Sequence, residues 1–327
     1  MRSAVLSVQA GRSSTPVGCR TRCRWARRGS SKPRRTDRQT AQELLDQRIE
    51  RRRDRDFEAA DAIRDQLRAG GWDVVDSANG SELQAIKAPP SADPKAPPRD
   101  VTLLAVVHGW QADAERWLLS VFTHCKADFE AVVVDNSQDP RIAGWLKNRA
   151  AERLRVITLD PPLGFGAAVN AGIEAASGQV VILFDPGVEL NGDAIAPLLD
   201  ALSDPTVAVA GPFGLRGRGT LKEFDSSPGP DVDAIEGYCL AFRRADALAA
   251  GGFDTRFRFY RMADVEFSFR LRAGGGRAVA LAGLPLVKHE HRLWESTEPS
   301  ERERLSKRNM YRFLDRWRDR EDLLVGQ

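Results

Sequence analysis

The chain has 327 residues, of which 42% are hydrophobic, enough for one large folded core and a small appendage. Its 49 Lys and Arg nearly balance 46 Asp and Glu, and its longest apolar runs, at 101–107 and 180–184, are far shorter than the ~20 residues of a membrane-spanning helix. An integral membrane protein is therefore excluded, and four scattered cysteines exclude a disulfide framework and favour a cytoplasmic location.

Residues 1–40 form a basic tail with 11 Lys and Arg and one acid, Asp37, a charge of +10. The other 287 residues carry a net charge of −7. Because the tail has almost no apolar clustering, it cannot offset the entropy of ordering, and we expect it to be disordered. Its composition also suits an organellar transit peptide, or an arm that contacts RNA or anionic lipid.

Residues 41–86 change character. Apolar residues recur every three or four positions between charges over 41–69, which predicts two amphipathic helices or one long helix, ended by Gly70 and Gly71. The stretch RRRDRDFEAADAIRDQLRAGGWDVVDSANGSELQ resembles the C-terminal helical region of cysteinyl-tRNA synthetases. That resemblance implies an RNA contact through residues 1–86, while the helical pattern alone equally suits a dimerisation or docking module. No HIGH or KMSKS motif is present, which excludes aminoacylation.

Residues 87–99 contain five prolines and predict a semi-rigid linker that separates two domains. After it, Val- and Ile-rich runs alternate regularly with helical patterns. Such runs are typical of strands buried on both faces, so we predict an α/β domain with a mostly parallel sheet and helices on both faces. The predicted strands are 101–107, 129–134, 154–159, 180–184 and 206–210, and the predicted helices are near 113–123, 139–152, 166–176 and 193–202.

Two acids end predicted strands of this sheet, Asp135 in VVVDNS and Asp185 in VVILFDPG. Singly, each suits a helix cap. Ligands of such sheets bind beyond the carboxyl ends of the strands, and the glycine-rich segment 163–172 lies between the two acids, so together they favour a nucleotide site. A dinucleotide fingerprint is disfavoured because its third glycine is absent and no strand leads into the segment.

Several motifs in the same order resemble family 2 glycosyltransferases of the GT-A fold, closest to the rhamnosyltransferase-like branch. They are AVVVDNSQD, LGFGAAVNAGI, VVILFDPGVEL, IEGYCLAFRR, GGFDTRFRFY and ADVEFSFRLRAGG. The resemblance covers about residues 100–290 and implies a Rossmann-like GT-A domain at 100–299. It also implies inverting transfer from a nucleoside diphosphate sugar to a saccharide or lipid-linked acceptor, as in bacterial cell-wall or exopolysaccharide biosynthesis.

The resemblance implies a donor site. Asp135 matches the acid that holds the nucleobase, and Gly164, Phe165, Gly166 and Asn170 match the segment that approaches the nucleotide. Asp185 matches the first acid of the DXD motif, which holds the Mg²⁺ or Mn²⁺ that bridges the diphosphate. The second acid of that motif is replaced by Gly187.

Asp264 matches the general base of the family's ED motif, whose first acid is replaced by Ala263. Its structural alternative is an N-cap of a helix at 265–273. Glu266, two residues on, points elsewhere on such a helix. Downstream, His289 and His291 alternate, so on a strand they share one face, and either can replace the missing metal ligand.

Residues 300–327 predict a C-terminal amphipathic helix that packs on the domain or lies on a membrane beside a lipid-linked acceptor, at the inner membrane face. Two further interpretations remain open. One is a degenerate protein that binds a nucleotide sugar without turnover, and the other is an RNA-associated adaptor.

Overall fold

The computed structural model describes residues 36–77, 80–86 and 99–326. Most of the predicted tail and of the proline-rich linker therefore lies outside the described residues. The last residues of the predicted tail are helical, because Asp37 caps a helix that begins at Arg38, with its Oδ1 accepting from Thr40 N at 2.9 Å.

Residues 36–86 form what we call the N-terminal module. Two helices, α1 (Arg38–Arg53) and α2 (Phe57–Ala69), precede an antiparallel hairpin of β1 (Trp72–Ser77) and β2 (Gly80–Ala85). The sequence pattern predicted the helical part and missed the hairpin. A small core of its own holds the module together, formed by Ala41, Leu45, Leu67, Trp72 and Val74.

The rest of the chain is an α/β domain. In chain order its elements are β3 (Arg99–Val107), α3 (Gln111–His124), β4 (Phe129–Asp135), α4 (Pro140–Lys147), β5 (Leu154–Thr158), α5 (Phe165–Ala175), β6 (Gly178–Phe184), β7 (Val188–Leu190), α6 (Ile195–Ser203), β8 (Val207–Gly211), β9 (Gly214–Arg218), β10 (Glu223–Ser227), β11 (Asp231–Val232), β12 (Ala234–Ile235), β13 (Cys239–Arg243), α7 (Arg244–Ala249), α8 (Ala263–Arg272), β14 (Arg277–Ala280), β15 (Leu286–Lys288), α9 (Arg292–Ser296) and α10 (Pro299–Trp317).

Eight strands form the central sheet, in the order β11-β14-β8-β13-β6-β3-β4-β5. Neighbours β6, β3, β4 and β5 run parallel, as do β8 and β14, whereas β13 runs antiparallel to both of its neighbours. The predicted α/β architecture with a mostly parallel sheet is confirmed. Every residue of β4 is buried, as expected for a strand covered on both faces.

The sheet separates two hydrophobic cores. Successive residues of β3 belong to opposite cores, because side chains alternate across a strand. Leu104 and Val106 pack with α5, α7, α8 and α10, whereas Leu103 and Ala105 pack with α3, α4 and α6. The strands that lead to the cleft described below are thereby fixed from both sides.

The apolar stripe of α10 lies in the first of these cores, where Phe313, Leu314 and Trp317 are buried. Packing therefore accounts for this stripe, and these three side chains are not available to a bilayer. Within the described residues, we find no helix whose length and apolar character suffice to cross a membrane.

Candidate functional site

A cleft of about 560 Å³ opens at the carboxyl ends of β3 and β6. Its remaining walls come from the β9–β10 hairpin, the start of α8, the segment that follows β15, and α10. This is where ligands of parallel sheets bind. The ionisable side chains that line the cleft include His108, Asp185, Lys222, Glu236, Arg261, Asp264 and His291.

Asp185 and His291 meet in this cleft. Asp185 directly follows β6, and its Oδ2 lies 3.1 Å from His291 Nε2. Its Oδ1 accepts a hydrogen bond from Gly187 N at 2.7 Å, which fixes the carboxylate. The His291 ring stacks on Tyr260 at a centroid distance of 4.1 Å and an interplanar angle of 20°. Two predicted metal ligands far apart in sequence are thus neighbours.

His289 lies elsewhere. β15 ends at Lys288, whose partner is Val188, and one further backbone bond, from His289 N to Gly187 O at 2.8 Å, follows before the chain leaves the strand. The expectation that His289 and His291 share one face of a strand is therefore wrong. His289 Nε2 instead contacts Glu189 Oε2 at 2.8 Å, and the residue is not among those that line the cleft.

The residues at Asp185 fit a divalent ion that arrives with its substrate. Among the residues that the structure describes, no group of three or more His, Cys, Asp or Glu is arranged to hold a metal, and Asp185 and His291 are the two that would hold one here. Asp185 Oδ2 and His291 Nε2 lie 3.1 Å apart, so both would reach the same ion. Mg²⁺ and similar ions commonly take their other ligands from phosphates and water.

Position 187 has no room for the second acid of the motif. A Cβ atom built on Gly187 would lie 2.9 Å from Asp185 Oδ1 and 2.9 Å from the backbone oxygen of Glu290. Since the backbone atom cannot rotate away, any side chain here requires the 289–291 segment to shift. The segment that brings His291 into the cleft therefore passes so close to position 187 that glycine fits there and an acidic side chain does not.

Asp264 also lines the cleft, in the first turn of α8. The helix begins at Ala263, so the predicted N-cap position is wrong. The Asp264 carboxylate accepts from Gly237 N at 2.7 Å and from Val265 N at 2.9 Å. Burial is the largest influence on this group and raises its pKa above the usual range, although the two backbone bonds act in the opposite direction.

Glu266 points away from the cleft, as the helical spacing predicted. It is buried and pairs with Arg270 at 2.7 Å and with Arg316 at 3.3 Å. Of the two acids in this motif, only Asp264 reaches the cleft.

Asp135 is buried at the end of β4 and does not line the cleft. Its Oδ1 accepts from Ser137 N at 3.1 Å and Ser137 Oγ at 2.6 Å, the geometry of a turn. The sequence reasoning missed its neighbour Asn136, which bonds both the N–H and the carbonyl of Leu163. A nucleobase contact through Asp135 stays a prediction.

The glycine-rich segment packs against a loop, which we call the Tyr260 loop (residues 254–262). A Cβ on Gly164 would lie 2.8 Å from the Arg258 side chain, and a Cβ on Gly166 would lie 2.6 Å from the backbone carbonyl oxygen of Asp254. Asn170 bonds the N–H and carbonyl of Phe253, both at 2.8 Å. This packing accounts for these residues without a ligand, so their nucleotide contacts stay predictions.

Phe165 is the member of this segment that lines the cleft. Its ring contacts Tyr260 edge-on at a centroid distance of 6.4 Å. The first two backbone N–H groups of α5 are already hydrogen-bonded, because Phe165 N donates to Arg258 O and Gly166 N donates to Phe257 O, both at 3.0 Å.

The sequence reasoning also missed several cleft residues. Lys222 and Arg261 are exposed cations that make no ion pair within the described part of the chain. Burial, with a smaller contribution from His291, lowers the pKa of His108 to about 4, so this side chain is neutral near pH 7. The sequence marks His108 and Arg261 as cleft residues through their positions alone, since His108 follows β3 and Arg261 precedes α8.

Comparison with known proteins identifies a related family over much of the α/β domain. The family model described as Glycosyl transferase family 2 matches residues 108–266, a segment that includes Asp135, Asp185 and Asp264. No curated protein matches the chain. The N-terminal module lies outside the matched residues, so its synthetase-like character and the rhamnosyltransferase-like branch stay predictions.

Among solved structures, the chain is similar to the crystal structure of GalNAc-T7 with UDP, GalNAc and Mn²⁺, with a TM-score of 0.54 and 18% identity, over 69% of this chain and 49% of that one. It is also similar to the mannosyltransferase PcManGT from Pyrobaculum calidifontis in complex with GDP-Man and Mn²⁺, with a TM-score of 0.48 and 20% identity, over 62% of this chain and 61% of that one. The chain thus spans less than two thirds of either protein. The domain that contains the cleft has the GT-A fold, and its residues 108–266 match glycosyl transferase family 2.

Proposed function

We propose that this protein is an inverting glycosyltransferase that moves a sugar from a nucleoside diphosphate sugar to a hydroxyl of a saccharide or lipid-linked acceptor. The observation that carries the proposal is the placement of Asp185, His291 and Asp264 in one cleft, at the strand ends where such a fold binds ligands. In this proposal, Asp135 and the 164–170 segment border the donor side.

Asp185 and His291 hold Mg²⁺ or Mn²⁺ together with the donor diphosphate. When bound, the ion neutralises charge on the diphosphate as it leaves. Lys222 and Arg261 add positive charge to the same cleft, and their lack of carboxylate partners within the described residues leaves them available to phosphate oxygens.

Asp264 is the general base in this proposal. A sugar hydroxyl is a weak nucleophile until its proton is removed as the new bond forms. The burial that raises the pKa of Asp264 makes its carboxylate a better proton acceptor than an exposed one. Its two backbone hydrogen bonds fix the orientation of the carboxylate toward the cleft.

The test is Asp264→Asn, assayed against a panel of nucleotide sugars with and without Mn²⁺. Transfer should fall by ~10² to 10⁴, the usual contribution of a general base, while donor affinity is kept. An amide cannot accept from both Gly237 N and Val265 N, so the unfolding free energy should also fall by about 1–3 kcal/mol. Asp200→Asn, at an exposed position on α6, is the matched control.

The pH dependence of the wild type supplies a second measurement that does not rely on the variant. Because the active form of Asp264 is the carboxylate and its pKa is raised, kcat/KM should fall as pH drops through that raised value. Equal transfer by the wild type and Asp264→Asn would contradict the base assignment. A wild type that binds a donor but neither transfers nor hydrolyses it would favour the degenerate binder.

A further inference from the structure

Two ion pairs between helices α2 and α10, which we call the ladder, join the N-terminal module to the α/β domain. Asp61 on α2 pairs with Arg308 on α10 at 2.9 Å, and Asp65 pairs with Arg312 at 3.5 Å. Both partners advance by four residues, which is about one helical turn. The two helices therefore run side by side in the same direction, in register.

The Asp65–Arg312 pair orients the helices more than it stabilises them. Its side chains are 22% and 17% exposed, so both ions have lost much of their hydration. Burial raises the pKa of Asp65 despite the nearby Arg312 and Arg258. In such a pair the desolvation penalty rivals the attraction, and the benefit that remains is geometric.

α10 in turn holds the Tyr260 loop. Asn309, fully buried, donates both N–H groups of its amide, to the carbonyls of Phe259 and Arg261, each at 2.8 Å. Arg312 donates to the carbonyl of Arg256 as well. The helix that receives the acids of the module thus fixes the loop backbone at three points.

This loop carries cleft residues. Tyr260 stacks on His291, Arg261 lines the cleft, and the chain then enters α8 at Ala263, one residue before Asp264. A shift of the loop backbone would therefore move the ring that supports a metal ligand and the start of the helix that holds the base.

Charged residues of the module also influence Arg258 of the loop electrostatically. Burial lowers the pKa of Arg258 to about 9, with smaller contributions in the same direction from Arg68 and Arg64, while Asp73 and Asp65 oppose them. All four of these charged neighbours belong to the module, and Asp65 is also a member of the ladder. Acids of the module thus offset a concentration of positive charge behind the loop.

We infer that the N-terminal module is a positioning element of the site, acting through α10 on the Tyr260 loop, with Asn309 as the positioning residue. None of the described residues of the module lines the cleft, so its influence passes through the loop. Asp61 and Asp65 of α2 are paired with arginines of α10, with the Asp61 side chain still 41% exposed. The consequence for turnover rests on the proposed function, whereas the mechanical link does not.

The experiment is hydrogen exchange of the Tyr260 loop in the full chain. Asp61→Arg should speed exchange of loop amides by about 3- to 10-fold, the effect of turning one partly exposed pair into repulsion. Exchanging the charges, Asp61→Arg with Arg308→Asp, should restore protection to within about twofold of the wild type. Glu43→Arg, on an exposed position of α1 with the same change in charge, should have no effect on the loop.

Asn309→Ala removes the side chain that bonds the loop directly, so it should give the largest increase in the exchange rate of the loop amides. This variant also establishes that the measurement responds to a change at the loop. The inference is overturned if Asp61→Arg, folded by circular dichroism, leaves loop exchange as in the wild type, or if the charge exchange does not restore it. In transfer assays, Asp61→Arg should lower kcat and leave the donor Kd unchanged. If no nucleotide sugar is used by the wild type, the proposed function fails and loop exchange still decides the inference.

Discussion

His291 and Asp185 reach the cleft by independent routes. Asp185 is fixed by the end of β6 and the Gly187 N–H, whereas His291 is fixed by the Tyr260 ring and by its place before α9. A ligand pair built from a rigid strand end and a supported loop can adjust to an ion without distorting the sheet. At the scale of single residues, the proposed function makes this pair the point at which donor binding would depend on metal.

Replacing Asp185 by Asn or His291 by Ala should remove most of the Mn²⁺-dependent increase in nucleoside diphosphate affinity, because each removes one of two protein ligands. Titration calorimetry with and without Mn²⁺ measures this increase. His289→Ala is the matched control, since that residue pairs with Glu189 outside the cleft lining. A loss in the control equal to that in His291→Ala would contradict the assignment.

Restoring the acid of the motif should harm the protein. Gly187→Asp places a Cβ 2.9 Å from the Glu290 carbonyl oxygen, so overpacking should lower the unfolding free energy by about 1–3 kcal/mol. Displacement of the 289–291 segment should weaken Mn²⁺-dependent nucleotide binding as well. Urea unfolding and calorimetry test both points, and a stable variant with tighter Mn²⁺-dependent binding would show that the segment has room to move.

At the scale of elements, α5 and the Tyr260 loop form one unit. The glycines at the start of α5 let the loop backbone approach within hydrogen-bond distance, and Asn170 secures the loop's neighbour Phe253. This arrangement competes with the interpretation that the glycines exist for close approach of a nucleotide. If the glycines serve packing, adding a methyl group by a Gly→Ala substitution should lower stability. If they serve a nucleotide, it should lower nucleotide affinity.

Gly166→Ala should lower the unfolding free energy by about 1–3 kcal/mol, because its Cβ would meet the Asp254 carbonyl oxygen at 2.6 Å. Gly144→Ala, in α4 with open space around its Cβ, should raise it by about 0.5–1 kcal/mol, the usual gain in a helix interior. Chemical denaturation of both variants tests this contrast. Unchanged stability with lost nucleotide affinity in Gly166→Ala would favour the nucleotide contact.

The strands and helices of the α/β domain were predictable because unbroken Val and Ile runs are the pattern of a covered parallel sheet. The β1–β2 hairpin was not, since Asp73 and Asp76 interrupt its apolar residues and are satisfied by arginines from α1 and α2. The strand expected at His289 failed because β15 pairs with β7, a partner about 100 residues earlier, only as far as Lys288. Strand pairing and loop contacts between distant residues leave no local pattern.

At the scale of the whole molecule, the N-terminal module and the α/β domain each have a core. The residues of the module's cluster are separate from both clusters around the sheet, and the described contacts that join the two parts include the Asp61–Arg308 and Asp65–Arg312 ion pairs. The sequence predicted the module as a separate unit and gave no sign of its attachment to α10, because Asp61 and Arg308 are far apart in the chain.

Deleting residues 1–98 should therefore leave a folded domain that still binds the donor. Loss of the ion-pair ladder should lower the thermal midpoint by about 2–4 °C for each 1 kcal/mol lost, the scale for a domain of this size. Scanning calorimetry and nucleotide titration measure the two properties. An aggregated truncation would show that the module completes the core, and weakened donor binding would place part of the donor site under its control.

The bond between Phe165 and the Tyr260 loop has a kinetic consequence. Phe165 lines the cleft, and its N–H donates to the carbonyl of Arg258, so under the proposed function a donor that packs against this ring would also stabilise the loop that leads to Asp264. The acceptor would then meet a loop that the donor has already stabilised further. Substrates should accordingly bind in a compulsory sequence, donor before acceptor, and the nucleoside diphosphate product should leave last.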